Sequence, residues 1–205
     1  MEQIQQGCYA EYVLVNENAP IALKPQNASF DQSASLVFGG TTALHFLDKM
    51  DYKHKQSILI YGASGAVGTA VVQIAKIMGL HVTAVASTRN EEFVRSLGAN
   101  VYIDYKNQSM EELKEKFDIV FDTVGKLDKR IAKRLLKTNG NYLTVAGLDV
   151  AKETKNQLDR LRNWFEEGKL RSMIENTYEF DEVQDAHRFV DTGRKRGAVV
   201  LKIRA

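Results

Sequence analysis

The sequence predicts an α/β protein: a doubly wound parallel sheet with helices on both faces. Three observations lead there. From Ser57 onward, short β-branched runs alternate with helical patterns, as in a parallel sheet covered by helices. A glycine-rich turn, Gly62-Ala63-Ser64-Gly65-Ala66-Val67-Gly68, joins the first of these runs to an amphipathic stretch. The 205 residues are 44% hydrophobic and 26% charged, a balance that permits an ordinary core without disorder.

Tyr9–Val15 reads as a strand with no helix after it, and Phe30–Met50 as one or two helices broken at Gly39-Gly40. The sheet strands follow at Ser57–Tyr61, His81–Ser87, Val101–Asp104, Phe117–Asp122 and Asn141–Ala146, each short enough to be buried on both faces. Helices fill the gaps. Ala66–Met78 sets Val67, Ala70, Val71, Ile74 and Met78 on one stripe, as a helix lying on a sheet requires. Gly79 ends it, because glycine takes the left-handed conformation cheaply. After Gly147 come a helix at Thr154–Glu167, a strand at Ile174–Phe180, a helix at Asp181–Asp191 and a strand at Ala198–Ile203. Isolated strands are marginal in water. Tyr9–Val15, Ile174–Phe180 and Ala198–Ile203 are therefore expected to share a small sheet.

Charge argues against a nucleic-acid partner: 28 basic and 26 acidic residues are mixed along the chain, with a formal net charge of +2, and no basic stripe forms. The densest basic run, Arg194-Lys195-Arg196, reads as a solvated turn before the last strand. The single Cys8 rules out an intramolecular disulfide and a cysteine-based zinc cluster, and it fits a reducing compartment. No run approaches the roughly 20 apolar residues of a membrane span. No membrane partner and a cytoplasmic location are expected.

The first strand, the glycine-rich turn and the amphipathic helix give the turn the context of a Rossmann-type dinucleotide fingerprint. Gly65 lets the backbone approach a pyrophosphate, the helix start attracts its charge, and Gly68 lets helix and strand pack closely. Ala63 stands at the usual first-glycine place and can make the turn if its φ stays negative. NAD-selective domains carry an acid at the end of the second strand. Here that place reads Ala86-Ser87-Thr88-Arg89-Asn90. A hydroxyl and a guanidinium there would bind a 2′-phosphate by charge-assisted hydrogen bonds, so NADP(H) is the expected cofactor. His45, His54, His81 and His187 have no metal-ligand spacing.

Gly7-Cys8-Tyr9-Ala10-Glu11-Tyr12, Thr42-Ala43-Leu44, the glycine-rich turn, Ser96-Leu97-Gly98-Ala99, Ile103-Asp104-Tyr105 and Asp122-Thr123-Val124-Gly125 occur in that order, followed by Gly168-Lys169-Leu170, Ala186-His187 and Gly197–Leu201. Over nearly its whole length the chain resembles the medium-chain dehydrogenase/reductase superfamily, in its zinc-free quinone oxidoreductase-like branch. The resemblance implies a Rossmann nucleotide domain over residues 41–168, flanked at 1–40 and 169–205 by remnants of a GroES-like substrate domain. It implies that Ala63, Ser64, Gly65, Ala66, Val67 and Gly68 form the pyrophosphate loop and that Ser87, Arg89 and Tyr105 surround the adenosine phosphate. Val124, Ala146 and Gly147 would flank the nicotinamide, with Thr42 nearby. Phe38 stands where zinc-dependent relatives place a cysteine ligand, so no metal is expected.

Complete members of this branch carry further residues before the Tyr9 strand and after Gly147, including the strand that pairs subunits. The resemblance thus implies a shortened form, with any homo-oligomer built through a non-standard interface. The implied activity is NADPH-dependent hydride transfer to a small-molecule quinone or enone. A zinc-free alcohol dehydrogenase-like or enoyl reductase activity stays open, as does an inactive nucleotide-binding remnant acting as a sensor or partner subunit. The sequence names no proton donor.

Overall fold

A computed structural model describes residues 9–51, 54 and 56–203. Gly7 and Cys8, quoted above for the resemblance, lie outside the described residues. Strands β1 (Ser57–Tyr61), β2 (His81–Ala86), β3 (Val101–Asp104), β4 (Phe117–Asp122) and β5 (Leu136–Thr144) form one parallel sheet in the order β3-β2-β1-β4-β5. Side chains alternate across it. Ile58 and Ile60 enter one core with Leu44, Val71 and Phe121, whereas Leu59 enters the other with Val85, Phe117 and Leu135. Burial on both faces explains why these strands read as nearly continuous apolar runs. Each fully buried aliphatic or aromatic side chain stabilises the fold by about 1.5–3 kcal/mol.

The helices are α1 (Phe30–Leu47), α2 (Ala66–Ile77), α3 (Glu91–Ser96), α4 (Lys129–Arg134), α5 (Lys155–Glu166) and α6 (Val183–Asp191). The expected break at Gly39-Gly40 does not occur, and α1 runs through it unbroken. These glycines serve contact. A Cβ at Gly39 would stand 2.3 Å from the Ala66 carbonyl oxygen, and one at Gly40 would stand 2.7 Å from the Leu161 side chain. Their bareness lets α1 lie against the start of α2 and against α5.

Strand β6 (Ile174–Glu179) pairs in parallel with β7 (Ala198–Lys202) as a separate two-stranded sheet. The expected third member is missing: Tyr9–Val15 forms no strand and is exposed throughout. Tyr9 stands beside β7 at a shared cavity, but the segment does not pair with that strand and stays exposed. β5 also differs, starting at Leu136 rather than Asn141 and ending before Ala146. It accommodates Asn139 at φ 65 and a register shift against β4 between Phe117 and Ile119. Other ends move by a residue or two: Ser87 lies past β2, Met78 is the C-cap of α2, and Asp181 belongs to a 3₁₀ turn before α6. Among the described residues no helix is long and apolar enough to cross a membrane.

Candidate functional site

Strand order reverses between β1 and β4, and ligands of open α/β sheets bind in the crevice at such a switch point, beyond the carboxyl ends of the strands. Three loops meet there, following β1, β4 and β5. In the first, Gly62 takes the left-handed turn at φ 85, so Ala63 does not have to. The N–H groups of Gly62 and Ala63 both donate to the Val85 carbonyl, at 3.0 and 3.1 Å. The turn is thereby fixed to β2.

Helix α2 then begins at Gly65, with no side-chain cap and no acid in its first turn. Its leading N–H groups and the positive end of its dipole are left without a side-chain partner. The two glycines here do different things. A Cβ on Gly68 would come 2.1 Å from the Gly62 carbonyl oxygen, so that residue is bare for packing. A Cβ on Gly65 would meet only the same oxygen, at an ordinary 3.5 Å. Its bareness serves whatever lies above the loop.

The second loop is held by Asp122, which is fully buried and accepts from the backbone N–H groups of Val124, Gly125 and Leu127 at 3.0, 2.8 and 2.9 Å. This brings Val124 against Gly62, where an added Cβ would lie 2.2 Å from Val124 Cγ2. Thr123 Oγ1 donates to the Tyr61 carbonyl at 2.8 Å. The third loop packs Ala146 onto Gly125, whose bareness and φ of 80 make room for it. Asp122 was visible as part of a motif, but its three bonds arise only from the fold.

Between these loops and α1 lies a cleft of about 660 Å³, lined by Thr42, Gly65, Ala66, Val67, Val124 and Gly147 among others. Six of the sequence-predicted residues thus face one space. Ala63, Ser64 and Ala146 belong to the surrounding loops, and Gly68 lies in the first turn of α2. At the rim, Asp149 pairs with Lys49 and, at 3.0 Å, with His45 Nε2. The Lys152 N–H donates to His45 Nδ1 at 3.2 Å. Hydrogen bonds from Lys49 and His45 hold the Asp149 carboxyl below the usual range. Helix α1 thereby pins the segment that follows Gly147.

Ser87, Arg89 and Tyr105 stand apart from this cleft, at the ends of β2 and β3. Asn90 Nδ2 donates to Ser87 Oγ at 3.1 Å and to Ser64 Oγ at 3.0 Å, linking that group to the β1 loop. Arg89 is exposed and its guanidinium donates to the Arg194 carbonyl. Tyr105 is half-exposed, its ring 6.2 Å from that of Tyr61.

The basic run is a turn before the last strand, as expected, but it is solvated only at Arg194 and Arg196. The Gly197 N–H donates to the Ser64 carbonyl at 2.9 Å, drawing the turn to the β1 loop. Lys195 lines the cleft and donates to the Gly197 carbonyl at 2.9 Å. Burial pushes its ammonium below the ordinary lysine value, with Glu175 opposing. Only this tertiary closure marks Lys195; charge patterning gave no sign of it.

Strand order and loops define a Rossmann-type nucleotide domain of the dehydrogenase kind. Known proteins agree. The family model described as "Zinc-binding dehydrogenase" matches residues 66–192. The 2-methylene-furan-3-one reductase of Solanum lycopersicum is 36% identical, across 96% of this chain and 53% of that protein. The chloroplastic NADPH-dependent alkenal/one oxidoreductase of Arabidopsis thaliana is 35% identical with the same coverage. The solved quinone oxidoreductase of Coxiella burnetii superposes with a TM-score of 0.76 at 28% identity, over 89% of this chain and 64% of that one. The chain belongs to the zinc-binding dehydrogenase family, as a quinone oxidoreductase-like member of the medium-chain dehydrogenase/reductase superfamily. It spans about half the length of these curated relatives.

The described residues do not fit the zinc of the family's description. Among the described residues no three His, Cys, Asp or Glu side chains gather closely enough to hold a metal ion. Phe38, at the position matching a cysteine ligand, is an exposed phenyl ring.

Proposed function

We propose that the chain binds NADP(H), with the pyrophosphate over Gly65–Gly68 and the nicotinamide in the cleft beside Thr42, Val124 and Gly147, and that it serves zinc-independent reduction of a quinone or enone. The observation that carries the reading is the acid-free start of α2 at Gly65, without a side-chain cap, with room for a Cβ at Gly65 and a cleft beside it. The absence of an acid at the end of β2, where Ser87 and Arg89 stand, supports the 2′-phosphorylated form. The relative named an NADPH-dependent alkenal/one oxidoreductase supports the same choice of cofactor, and the one named a 2-methylene-furan-3-one reductase supports an enone substrate.

Bound nicotinamide supplies the hydride. The protein's part is to bind, orient and exclude water. Backbone N–H groups of the α2 start take the pyrophosphate charge. Asp122, through Val124, and the His45–Asp149 contact, through the segment after Gly147, hold two walls of the cleft. Lys195 adds a cation close to the β1 loop. The segments 1–40 and 169–205 are read as the share of a substrate domain, and a reducing compartment fits the composition.

Fluorescence titration with NADPH and NADH, followed by cofactor consumption with a panel of quinones and enones, tests the reading. Tighter NADPH binding and substrate-dependent oxidation are expected. NADPH binding without oxidation would assign the chain to nucleotide binding alone, and equal affinity for both cofactors would overturn the cofactor assignment.

A further inference from the structure

Asn90 ends a 3₁₀ turn, Thr88–Asn90, that runs directly into α3, and its backbone N–H donates to the Ser87 carbonyl at 2.8 Å. The side chain is buried and turned away, with Nδ2 donating to Ser64 Oγ at 3.0 Å and Ser87 Oγ at 3.1 Å. Its Oδ1 is sealed from solvent without a hydrogen-bond partner. An unpaired buried carbonyl costs stability. A local rule broken in this way marks a residue held for a purpose other than folding.

A hydroxyl offers one hydrogen to donate and two lone pairs to accept with. Asn90 occupies an accepting position on each serine, so each O–H must point elsewhere. Neither hydroxyl donates to a protein group among the described residues. Ser64 lies in the β1 loop and Ser87 just past β2, so two hydroxyls with hydrogens left to donate stand on either side of the buried amide. A pair of pure donors suits an acceptor that has no hydrogen of its own. Phosphate oxygens are such acceptors, and hydrogen bonds to them are charge-assisted.

We propose that Asn90 is a positioning residue that fixes Ser64 and Ser87 as hydrogen-bond donors and thereby sets the preference for a 2′-phosphorylated nucleotide. Ser64 faces the pyrophosphate and Ser87 the 2′-phosphate. This rests on the NADP(H) reading above. Asn90 touches neither phosphate; it acts through the two hydroxyls.

The test is a double-mutant cycle on the full chain, with NADPH and NADH dissociation constants measured for the parent, Asn90→Leu, Ser87→Ala and the double variant. Loss of one charge-assisted hydrogen bond weakens binding by about tenfold or more. Ser87→Ala and Asn90→Leu should each lower the preference for NADPH over NADH by about that factor. The double variant should fall no further than Ser87→Ala alone. Asn90→Ala, which removes the same donor without adding a charge, should lower the preference likewise if the leucine variant does not fold. Equal weakening of both cofactors in the Asn90 variants, or additive losses in the cycle, would overturn the proposal. A parent chain with no NADPH preference would instead sink the cofactor reading beneath it.

Discussion

The helices that begin at Lys155 and at Ala66 both run for twelve residues, yet their first turns are finished in opposite ways. Thr154 caps the former with a reciprocal box: its Oγ1 accepts from the Gln157 N–H at 3.3 Å, and its own N–H donates to Gln157 Oε1 at 3.0 Å. Ser29 and Gln32 do the same for α1. At Ala66 nothing of the kind exists; a glycine sits at the cap and no acid follows. Of the described α-helices, α2 alone starts with neither a side-chain cap nor an acid in its first turn. Set at the sheet's switch point, beside the Gly197 backbone and facing a cleft, that start suits an anion.

The sharpest way to break this contrast is at Gly65. Gly65→Val should weaken NADPH binding beyond about a hundredfold, equivalent to ~3 kcal/mol, because the branched side chain fills the space above the loop. Thermal unfolding should change little, since an added Cβ there meets only the Gly62 oxygen at 3.5 Å. Gly68→Ala should do the reverse: the Cβ would collide with the Gly62 oxygen at 2.1 Å, and overpacking of this kind lowers stability by about 1–3 kcal/mol. Denaturant unfolding measures that loss.

A smaller effect is expected at the far end of the nucleotide site. Arg89→Ala should weaken NADPH by about tenfold, one charge-assisted bond, and leave NADH nearly unchanged. Titration of both cofactors separates this outcome from a general loss of binding.

At the opposite end of the strands, near the start of β4, Asp118 offers a purely structural reference. Burial raises its pKa, but hydrogen bonds from Lys137, the Ser57 hydroxyl and the amides of Gln56 and Ser57 outweigh it and hold the group at about 2. An unfolded aspartate titrates near 3.9, so the folded protein favours the ionised form. That stability is fully present above about pH 5 and is lost as the pH falls through 2. Asp118→Asn should therefore cost about 1–2 kcal/mol at neutral pH, discounted for the half-exposed Lys137, and the gap should close on acidification. Unfolding curves from pH 7 to about pH 2 follow it. Thr154→Ala, the smallest change, should cost about 1 kcal/mol without altering cofactor binding.

The five sheet strands and the α2 start were legible in the sequence because both rest on local signals: short apolar runs, and glycines at the positions a phosphate loop requires. Gly39-Gly40 misled for a physical reason. A glycine that breaks a helix and one that lets two helices touch look alike until the partner, here Ala66 or Leu161, is in place. Tyr9–Val15 alternates like a strand, but a strand also needs an edge to pair with, and that edge is a property of the assembled fold. The three residues added to the site, Asp122, Lys195 and Asn90, are defined by contacts across the fold: buried amides, a closing turn and two serines from different loops.

The central claim is that the bare start of α2 is where the nucleotide's charge is received. Two-dimensional amide NMR of the isotope-labelled chain, titrated with NADPH, tests it residue by residue. The amide signals of Gly65, Ala66, Val67 and Gly68 should shift on binding, while those of Lys155, Asn156 and Gln157 at the capped start of α5 stay in place. Binding that leaves the Gly65–Gly68 amides unmoved would contradict the account.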